Sequence, residues 1–283
     1  MAHLLDRNVL LLCKKSAYSI YSRKGHPRAE IDRYKKAHDE HSRTLATVER
    51  VLHKCGINYS KYARGRKIPY EHYGMVITVG GDGTFLEAAR HTNTQVILGV
   101  NSAPGTSVGE LCVATQKNFE RIIRRIIAGK NVRLDSWQRL RLKIDGLSLP
   151  IDCLNDILIC HQNPAAVSRY YLSIGNIKEE QRSSGLWVAA PAGSSGAIQS
   201  AGGKILNITE KKFQYMPREL YQGVNPPYRL KGGVLADGQT IKVTSLMHDG
   251  NVFVDGTHVQ LAFPFHATLK ISLSPKPVKA IQI

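Results

Sequence analysis

The chain has no apolar run long enough to span a membrane, so the sequence excludes a helical membrane protein. The apolar run that begins at Asn8 becomes polar at Lys14, which is too short for the core of a secretory signal peptide and its flanks. We interpret residues 8–13 instead as a first buried strand, which leaves no room for a targeting presequence. The sequence therefore predicts a cytoplasmic protein without a membrane partner.

Cysteine is scarce, and its spacing shows no pairing. The five residues are odd in number and include no C-x-x-C pair: Cys13, Cys55, Cys112, Cys153 and Cys160. This pattern favours free thiols in a reducing compartment over a disulfide framework. His38 and His41 stand three apart on a predicted helix with no further ligand nearby, so we predict no metal site built from the chain's own residues.

Acidic residues are few, with 22 Asp and Glu against 39 Lys and Arg, and the formal net charge is +17. Residues 1–75 alone carry 16 Lys or Arg against 7 Asp or Glu. This balance suits a nucleic-acid partner, an anionic small substrate drawn in by a positive field, or a basic face that is merely solvated. Because no zinc finger, recognition helix or aromatic-interleaved basic motif is present, we do not expect a nucleic-acid partner.

The chain is long enough, at 283 residues with 42% hydrophobic residues, for one large domain or two modest ones. In the first half, strand patterns at 8–13, 75–79 and 94–101 alternate with helix patterns at 28–54, 84–91 and 116–130, the last ended by Gly129. In the helix over 28–54, five apolar residues fall near one face: Ile31, Tyr34, Leu45, Val48 and Val51. This alternation predicts a Rossmann-like α/β domain whose parallel sheet is covered on both faces.

After about residue 132 the pattern changes to short β-rich segments separated by turns, with no long helix except near 194–201. Residues 252–256 indicate a strand that runs into an Asp-Gly turn. This second half predicts an all-β C-terminal sandwich. The predicted domains are 1–131 and 132–266, with a tail over 267–283 that can pack back on the first domain.

Two familiar phosphate-binding motifs are missing. There is no GxxxxGK[ST] segment, which excludes a P-loop, and Leu86 stands where a dinucleotide fingerprint would need its third glycine. The chain has G-G-D-G-T at residues 80–84 instead, between a predicted strand and a predicted helix. Open parallel sheets bind ligands at the carboxyl ends of strands, and the N–H groups at a helix start attract anions.

A carboxylate inside such a turn needs an explanation, because phosphate-binding turns normally avoid negative charge. Asp82 makes chemical sense as a general base that takes the proton of a hydroxyl attacking a phosphoryl group. The simpler alternative is a hairpin-style Asp-Gly turn, but the glycine doublet before Asp82 exceeds what that turn needs. The pentapeptide therefore predicts phosphoryl transfer to an alcohol.

Three motifs in order resemble those of the NAD kinase family. G-G-D-G-T also occurs in diacylglycerol and sphingosine lipid kinases and in phosphofructokinases, but "LNDILI" (154–159) and "SSGLWVAAPAGSSGAIQSAGG" (183–203) resemble NAD kinase segments. The resemblance covers most of the chain and implies the same order of an α/β domain and a β-sandwich. It also implies a kinase that phosphorylates the 2′-hydroxyl of the adenosine ribose of NAD or NADH to give NADP(H).

The resemblance implies a role for each matching residue. The catalytic base would be Asp82, and the phosphates or nucleotide would be bound by Gly81, Gly83, Thr84 and Phe85. The acceptor dinucleotide would be bound by Asn155, Asp156, Ser184, Ser194, Ser195 and Ala197. A helix N-cap is the alternative role for Ser194 and Ser195, and a strand-end turn carboxylate is the alternative for Asp156.

The chain departs from the usual pattern of the family at both ends of the expected dinucleotide. Ser184 replaces an Asp that usually contacts the nicotinamide-side ribose, and Ser195, Gly196 and Ala197 replace Thr-Ala-Tyr near the adenine. Three segments, "GVNSAPGTSVGELC", "AAVSRYYLSI" and "RSSGL", look closer to the branch that contains the plant NADH kinase and the animal mitochondrial NAD kinase. The sequence does not choose between NAD and NADH.

The donor is expected to be ATP or polyphosphate, accompanied by Mg²⁺ that is held mainly by the donor's phosphates and water. Two other functions stay open. One is a lipid kinase that shares G-G-D-G-T, and the other is a nucleotide-binding protein that kept the fold and lost catalysis. We expect a homodimer, because two-fold dimers are the commonest closed assembly.

Overall fold

The computed structural model describes Leu5 and Gly223 together with residues 8–130, 132–221, 227–257 and 259–283. The chain divides into two compact units, one comprising the residues up to Ser136 with Val278–Ile283 and the other Trp137–Pro277. The predicted boundary at residue 131 is close to this division. The predicted tail is shorter than expected, because residues 267–277 belong to the second unit and only the last six return to the first.

The first unit is built on one seven-stranded sheet. Its strands are β1 (Val9–Cys13), β2 (Tyr59–Ala63), β3 (Met75–Gly80), β4 (Val96–Asn101), β5 (Ala114–Thr115), β6 (Arg133–Trp137) and β19 (Val278–Gln282). Their order is β2-β1-β3-β4-β19-β6, with β5 also paired to β4. Strand β1 pairs in parallel with β2 and β3, and β4 pairs in parallel with β3, β5 and β19. The strands β1, β3 and β4 are buried along their full length, as parallel strands covered on both faces are.

Five helices whose bounds lie within the described residues accompany this sheet. They are α1 (Ala17–Arg23), α2 (Arg28–Ile31), α3 (Lys35–Lys54), α4 (Asp82–His91) and α5 (Phe119–Ala128). Helix α3 buries Val48 and Val51 in the core of the unit. Helix α5 ends at Gly129, which adopts the left-handed conformation with φ 64°, as the sequence predicted. The predicted α/β class of this unit is confirmed.

The predicted helix over residues 28–54 is not continuous. A 3₁₀ turn at Asp32–Tyr34 separates α2 from α3. Within residues 28–34, Ile31 is the one buried side chain, so no apolar stripe holds this stretch to a regular α-helical repeat. Helix α1 was not predicted, and it buries none of its own residues, so it left no amphipathic pattern to detect.

The second unit consists of two six-stranded antiparallel sheets. The first sheet holds β7 (Leu140–Ile144), β8 (Leu147–Cys153), β10 (Ser168–Ile174), β11 (Ile177–Ser183), β15 (Ile241–Ser245) and β18 (Thr268–Leu273) in the order β11-β10-β15-β18-β7-β8. The second holds β9 (Asp156–His161), β12 (Leu186–Ala189), β13 (Lys212–Pro217), β14 (Gly233–Ala236), β16 (Gly250–Val254) and β17 (Val259–Ala262) in the order β14-β13-β12-β9-β16-β17. Both sheets contribute to one core, in which Leu142 and Tyr170 join Ile157 and Val252. The predicted sandwich is confirmed.

Turns and short helices complete the second unit. The predicted Asp-Gly turn follows β16, with Asp255 at φ 50° and Gly256 at φ 89°. The predicted helix near 194–201 is a 3₁₀ turn, Pro191–Gly193, followed by a single helical turn, α6 (Ala197–Ser200). In the part of the chain that the structure describes, no helix is long and apolar enough to cross a membrane.

Candidate functional site

The glycine turn joins β3 to α4 at the carboxyl edge of the parallel sheet. Strand β3 ends at Gly80, Gly81 is extended, and α4 begins at Asp82, two residues earlier than predicted. A Cβ on Gly80 would overlap with Oγ1 of Thr84, and one on Gly81 would come within 2.8 Å of the Ser107 hydroxyl. Close packing therefore requires a glycine at position 80, while at Gly81 a side chain would displace the Ser107 hydroxyl, and both glycines leave space for an approaching ligand.

The carboxylate of Asp82 is held in one orientation by two backbone groups. The N–H of Leu111 donates to its Oδ1 at 2.8 Å, and the N–H of Glu110 donates to its Oδ2 at 3.2 Å. A carboxylate has about four lone-pair positions, so these bonds leave each oxygen able to accept one more donor. Asp82 is half-buried at the first position of α4. A fixed carboxylate with spare acceptor capacity is the arrangement that a general base needs.

Cys112 lies near the Asp82 carboxylate but does not act as an acid or base there. Burial of the thiol, followed by the negative charge of Asp82, raises the pKa of Cys112 to about 12. The thiol therefore stays protonated at neutral pH and is not a nucleophile. Asp82 remains the group of the turn with acid–base capability.

Two predicted phosphate-binding residues, Thr84 and Phe85, are turned into the protein. The Thr84 side chain is 1% exposed and lies under Gly80, while its N–H donates to the carbonyl of Gly81 at 2.9 Å. The Phe85 ring is 1% exposed and approaches the backbone at Gly99. Both side chains pack inside the unit, Thr84 against Gly80 and Phe85 against Gly99. A role of these two residues in binding a nucleotide stays a prediction.

A positive charge stands at the open side of the turn. The Nε of Arg64, just after β2, donates to Oε2 of the buried Glu87 on α4 at 3.1 Å, and the N–H of Gly65 donates to Oε1 of the same carboxylate at 2.8 Å. This holds the guanidinium beside the exposed Gly83, where a Cβ would lie 3.2 Å from Nη1 of Arg64. The turn thus combines a helix N-terminus with an oriented cation, and both favour a phosphate group.

In the second unit, Asn155 is fixed immediately before β9. Its N–H donates to Oδ1 of Asp255 at 2.7 Å, and its carbonyl accepts from the N–H of Ala190 at 3.0 Å. A Cβ on Gly193 would overlap with this same carbonyl. Asn155 is therefore held by two segments distant in sequence, at Asp255 and at residues 190–193, and its side-chain amide lies 3.4 Å from Oδ2 of Asp156.

Asp156 is a buried carboxylate next to a second one. Burial, followed by the negative charge of Asp255, raises the pKa of Asp156 to about 7. The N–H of Asp255 donates to the Asp156 carbonyl at 2.9 Å, which keeps the two residues together. A buried carboxylate whose pKa is close to neutrality is typical of a functional position, and the ion accepts hydrogen bonds from hydroxyl groups well.

The serines of the G-S-S-G segment have different environments. Ser194 is buried, and its hydroxyl donates to the Pro191 carbonyl at 2.7 Å and accepts from the N–H of Leu206 at 2.9 Å. These bonds of its hydroxyl hold the loop, and a role of Ser194 in binding the dinucleotide stays a prediction. The alternative prediction of a helix cap is wrong, because the N-cap of α6 is Gly196 and no side chain caps that helix. Ser195 is half-buried.

A cavity of about 550 Å³ lies beside these residues in the second unit. It is lined by Trp187, Ala197, Ser200, Ala201, Arg218 and Glu219. The guanidinium of Arg218 stands 5.9 Å from the centre of the Trp187 ring, and the Arg218 carbonyl accepts from the N–H of Ser184 at 2.9 Å. Arg218 therefore links the two positions, Ser184 and Ala197, at which the chain departs from the usual motif. An aromatic face with a neighbouring cation suits a flat, polar ring.

Comparisons with known proteins agree with this arrangement. Residues 4–131 match the family model of the ATP-NAD kinase N-terminal domain. A probable NADH kinase of Oryza sativa subsp. japonica is 36% identical over 85% of this chain and 81% of its own length. The chain belongs to the NAD kinase family. An NADH kinase of Arabidopsis thaliana is 33% identical over 84% of this chain and 82% of its own. The yeast NADH kinase complexed with NADH shares the fold, with a TM-score of 0.72 at 14% identity over 98% of this chain and 84% of its own.

In this NAD kinase family member, the predicted residues fall into two groups, each within one unit. Gly81, Asp82 and Gly83 form the turn of the first unit, and the residues from Asn155 to Ala197 belong to the second. Several contributors were not predicted: Glu87, Asp255, Trp187, Arg218 and the backbone at Glu110 and Leu111. The Asp-Gly turn at 255–256 was detectable as a turn, but nothing in its local sequence indicates that the carboxylate binds Asn155. Within the described residues, no group of three or more His, Cys, Asp or Glu is placed to hold a metal ion.

Proposed function

We propose that this member of the NAD kinase family transfers a phosphoryl group from ATP or polyphosphate to the 2′-hydroxyl of the adenosine ribose of NAD or NADH. The observation that carries the proposal is the Asp82 carboxylate, oriented by two backbone N–H groups at the N-terminus of α4. Members of this family are phosphotransferases, and Asp82 is the group of the turn suited to an alcohol acceptor.

The donor phosphates bind at the glycine turn in this proposal. Gly81 and Gly83 let the phosphates approach the helix N-terminus, and Arg64 supplies a cation that Glu87 keeps in place. Mg²⁺ enters with the donor as part of the substrate, coordinated by its phosphates and water. The turn binds the donor mainly through positioning and charge, which is most of what phosphoryl transfer requires from a protein.

The chemical step uses Asp82 as the base. As the 2′-oxygen forms its bond to the phosphorus, its proton passes to the Asp82 carboxylate, and the bond from phosphorus to the leaving phosphate breaks. The products are NADP or NADPH and the shortened donor. Asp82 then returns its proton to solvent. The two backbone bonds keep the carboxylate oriented through this cycle, so it need not reorganise as charge moves.

The acceptor dinucleotide binds to the second unit. Asn155 offers both a donor and an acceptor to an adenine edge or ribose, and ionised Asp156 accepts from a ribose hydroxyl. The cavity beside Trp187 receives one of the two rings of the dinucleotide, stacked on the indole with Arg218 nearby. Trp187 thereby provides the aromatic surface that the family's Tyr provides and that Ala197 lacks.

A product assay tests the proposal. Purified protein with Mg²⁺ is incubated with NAD or NADH, crossed with ATP or polyphosphate, and the products are separated by chromatography. We expect NADP(H) from at least one pair and none without donor. Phosphorylation of diacylglycerol in place of the dinucleotide would favour the lipid-kinase alternative. Dinucleotide binding without any phosphorylated product would favour the non-catalytic alternative.

The raised pKa of Asp156 predicts a pH dependence of acceptor binding. Because the ionised form accepts the ribose hydroxyl, the KM for the acceptor should rise as pH falls through about 7, the pKa of Asp156. Asp255→Asn keeps the acceptor oxygen for Asn155 but removes the nearby charge, so the pKa of Asp156 falls. The rise in KM should then begin at a lower pH than in the wild type. An unchanged KM profile in Asp255→Asn would contradict this role.

The same pKa has a consequence for stability. A folded-state pKa raised above the unfolded value, about 3.9 for Asp, means that the folded chain binds this proton more tightly. The contribution of Asp156 to the free energy of unfolding therefore decreases as pH rises from about 4 towards 7, the folded-state pKa. Denaturant melts of the wild type and Asp255→Asn across this range should show a smaller decrease in the variant.

The absence of a charge at Ser184 leads to a prediction about the preference between NAD and NADH. An Asp at this position would favour the cationic oxidised nicotinamide by roughly 1 kcal/mol in a solvated site and by more in a drier one, and Ser184 lacks that charge. We expect the wild type to use NADH at least as well as NAD. Ser184→Asp should shift the ratio of kcat/KM towards NAD by about tenfold, while the uncharged control Ser184→Asn should not. An equal ratio in both variants would show that ring charge is not sensed at this position.

We further propose that the protein is a cytoplasmic homodimer. The five cysteines are all free, which suits a reducing compartment. The edge strands are β8 and β11 in one sheet of the sandwich and β14 and β17 in the other, and the outer side of each pairs with no other described strand, which offers surfaces for self-association. Light scattering at micromolar concentration should give about twice the chain mass of 31.4 kDa. A mass near the single chain would contradict the dimer.

A further inference from the structure

A row of lysines crosses one sheet of the second unit. On the first sheet of the sandwich, Lys242 on β15 stands directly opposite Lys270 on β18, and Lys270 stands directly opposite Lys143 on β7. All three side chains are exposed. Adjacent strands are about 4.8 Å apart, so the row extends roughly 10 Å across the strands. We call Lys143, Lys270 and Lys242 the lysine row.

This arrangement is unfavourable for folding. Like charges directly opposite each other on neighbouring strands repel, whereas opposite charges at such positions attract. Within the portion of the chain that the structure describes, no ion pair involves any member of the lysine row, although other lysines such as Lys61 and Lys212 do have carboxylate partners. The nearest carboxylate along the chain, Asp145 beside Gly146, accepts from the N–H of Thr268 at 2.7 Å and forms no ion pair with the row, so the ammonium groups are available to an external anion.

The lysine row lines a concave site. The row and the hydroxyl residues Ser173, Thr240 and Thr268 surround a cavity of about 440 Å³, with glycines at the ends of two hairpins beside it. Ser173 lies opposite Lys242 and also opposite Lys178 on β11. Lys178 continues the same line of charge, with its ammonium group 4.5 Å from the centre of the Tyr171 ring. The site thus places several ammonium donors and hydroxyl groups on the same face of one sheet.

The shape and chemistry of the site select among anions. Single-stranded nucleic acids are usually bound with aromatic stacking surfaces; the described residues that line this cavity include no aromatic ring, and the Tyr171 ring nearby already has the ammonium group of Lys178 over it. A membrane surface calls for apolar side chains that insert between lipids, and the lining offers ammonium and hydroxyl groups instead. The lysine row presents one cation on each of three neighbouring strands. This spacing is complementary to a linear polyanion that carries a negative charge on each repeating unit.

We propose that the lysine row binds the chain of a linear condensed phosphate, such as tripolyphosphate or longer polyphosphate. The phosphate oxygens accept from the ammonium groups of Lys143, Lys270 and Lys242 and from the neighbouring hydroxyls. The site lies on the sheet that does not carry Asn155, Asp156 or Trp187, and it is in a different unit of the chain from Asp82. Binding there involves no covalent step and is separate from the proposed donor turn.

Calorimetric titration tests the proposal. The full chain is titrated with inorganic tripolyphosphate at low salt, alongside the triple variant Lys143→Gln, Lys242→Gln, Lys270→Gln. Because the proposed donor turn can also bind this anion, the wild type should show two binding sites, and the triple variant should lose about tenfold or more in affinity at one of them while the other is unchanged. The control variant Lys36→Gln, Lys117→Gln, Lys211→Gln removes the same charge from exposed positions elsewhere and should bind nearly as well as the wild type. Replacement of the lysine row by arginine should retain the binding.

Two further measurements make the result decisive. The melting temperature of the row variant should equal or exceed that of the wild type, because like-charge repulsion is removed, so unfolding is not expected to obscure the test. Its kcat and its KM for ATP should be unchanged, which separates this site from the donor turn. Equal weakening in both triple variants, unchanged tripolyphosphate binding in the row variant, a raised KM for ATP, or preferential binding of oligoadenylate would each overturn the proposal.

Discussion

Asp82→Asn should lower kcat by about 10²- to 10⁴-fold, the usual range for loss of general-base assistance. The substitution keeps the size of the side chain and one carbonyl oxygen that can accept from the N–H of Leu111 or Glu110. It removes the negative charge and the basic oxygen, so the 2′-hydroxyl of the acceptor loses its proton acceptor. The dissociation constant of NADH should change far less, because the proposed acceptor contacts are with residues of the second unit.

A matched control separates this effect from a general loss of charge. Asp237→Asn changes another turn carboxylate, which is exposed and accepts from the N–H of Gly238 at 2.9 Å. We expect this variant to retain full turnover. Steady-state kinetics with the preferred acceptor and saturating donor measure both variants. Turnover of Asp82→Asn within a few-fold of the wild type would mean that Asp82 is a turn residue and that the proposed chemistry is wrong.

Gly193→Ala should reduce kcat/KM for the acceptor by about 10²-fold, because a displacement of roughly 1 Å in a substrate-positioning group has effects of that size. A Cβ at this position would overlap with the carbonyl oxygen of Asn155 and lie 2.9 Å from its Oδ1. The carbonyl cannot move independently, since it accepts from the N–H of Ala190 and the N–H of Asn155 is bonded to Asp255. The loop or Asn155 must shift, and the acceptor contacts shift with them.

Gly196→Ala provides the control in the same loop. A Cβ there would lie 3.3 Å from the carbonyl oxygen of Gly193, a contact that a small adjustment relieves. We expect at most a few-fold change in kcat/KM. The KM for the donor should be similar in both variants, because the turn that binds it belongs to the first unit. A Gly193→Ala enzyme as active as Gly196→Ala would show that the position of Asn155 does not govern acceptor use.

Local patterns were sufficient for several elements. The run of apolar residues at 75–79 followed by glycines and a helical pattern predicted β3, the turn and α4, because each feature depends on neighbouring residues. The same holds for Gly129 at the end of α5 and for the turn after β16. Strand β2 was missed because its residues are half-buried or exposed and partly polar, so neither alternation nor an apolar run marks it.

The sequence by itself determined the order of the α/β and β-sandwich halves, the place of the glycine turn and the identity of Asp82 as its acidic group. Hydrophobic periodicity and turn chemistry act over a few residues, so they can be recognised without knowing the fold. Only the tertiary structure decided which side chains face outward and which partners they have. Thr84, Phe85 and Ser194 are buried, Asp82 is oriented by residues 110–111, and Asn155 is bonded to a carboxylate 100 residues away. Such contacts depend on how distant segments pack, and no local pattern encodes that packing.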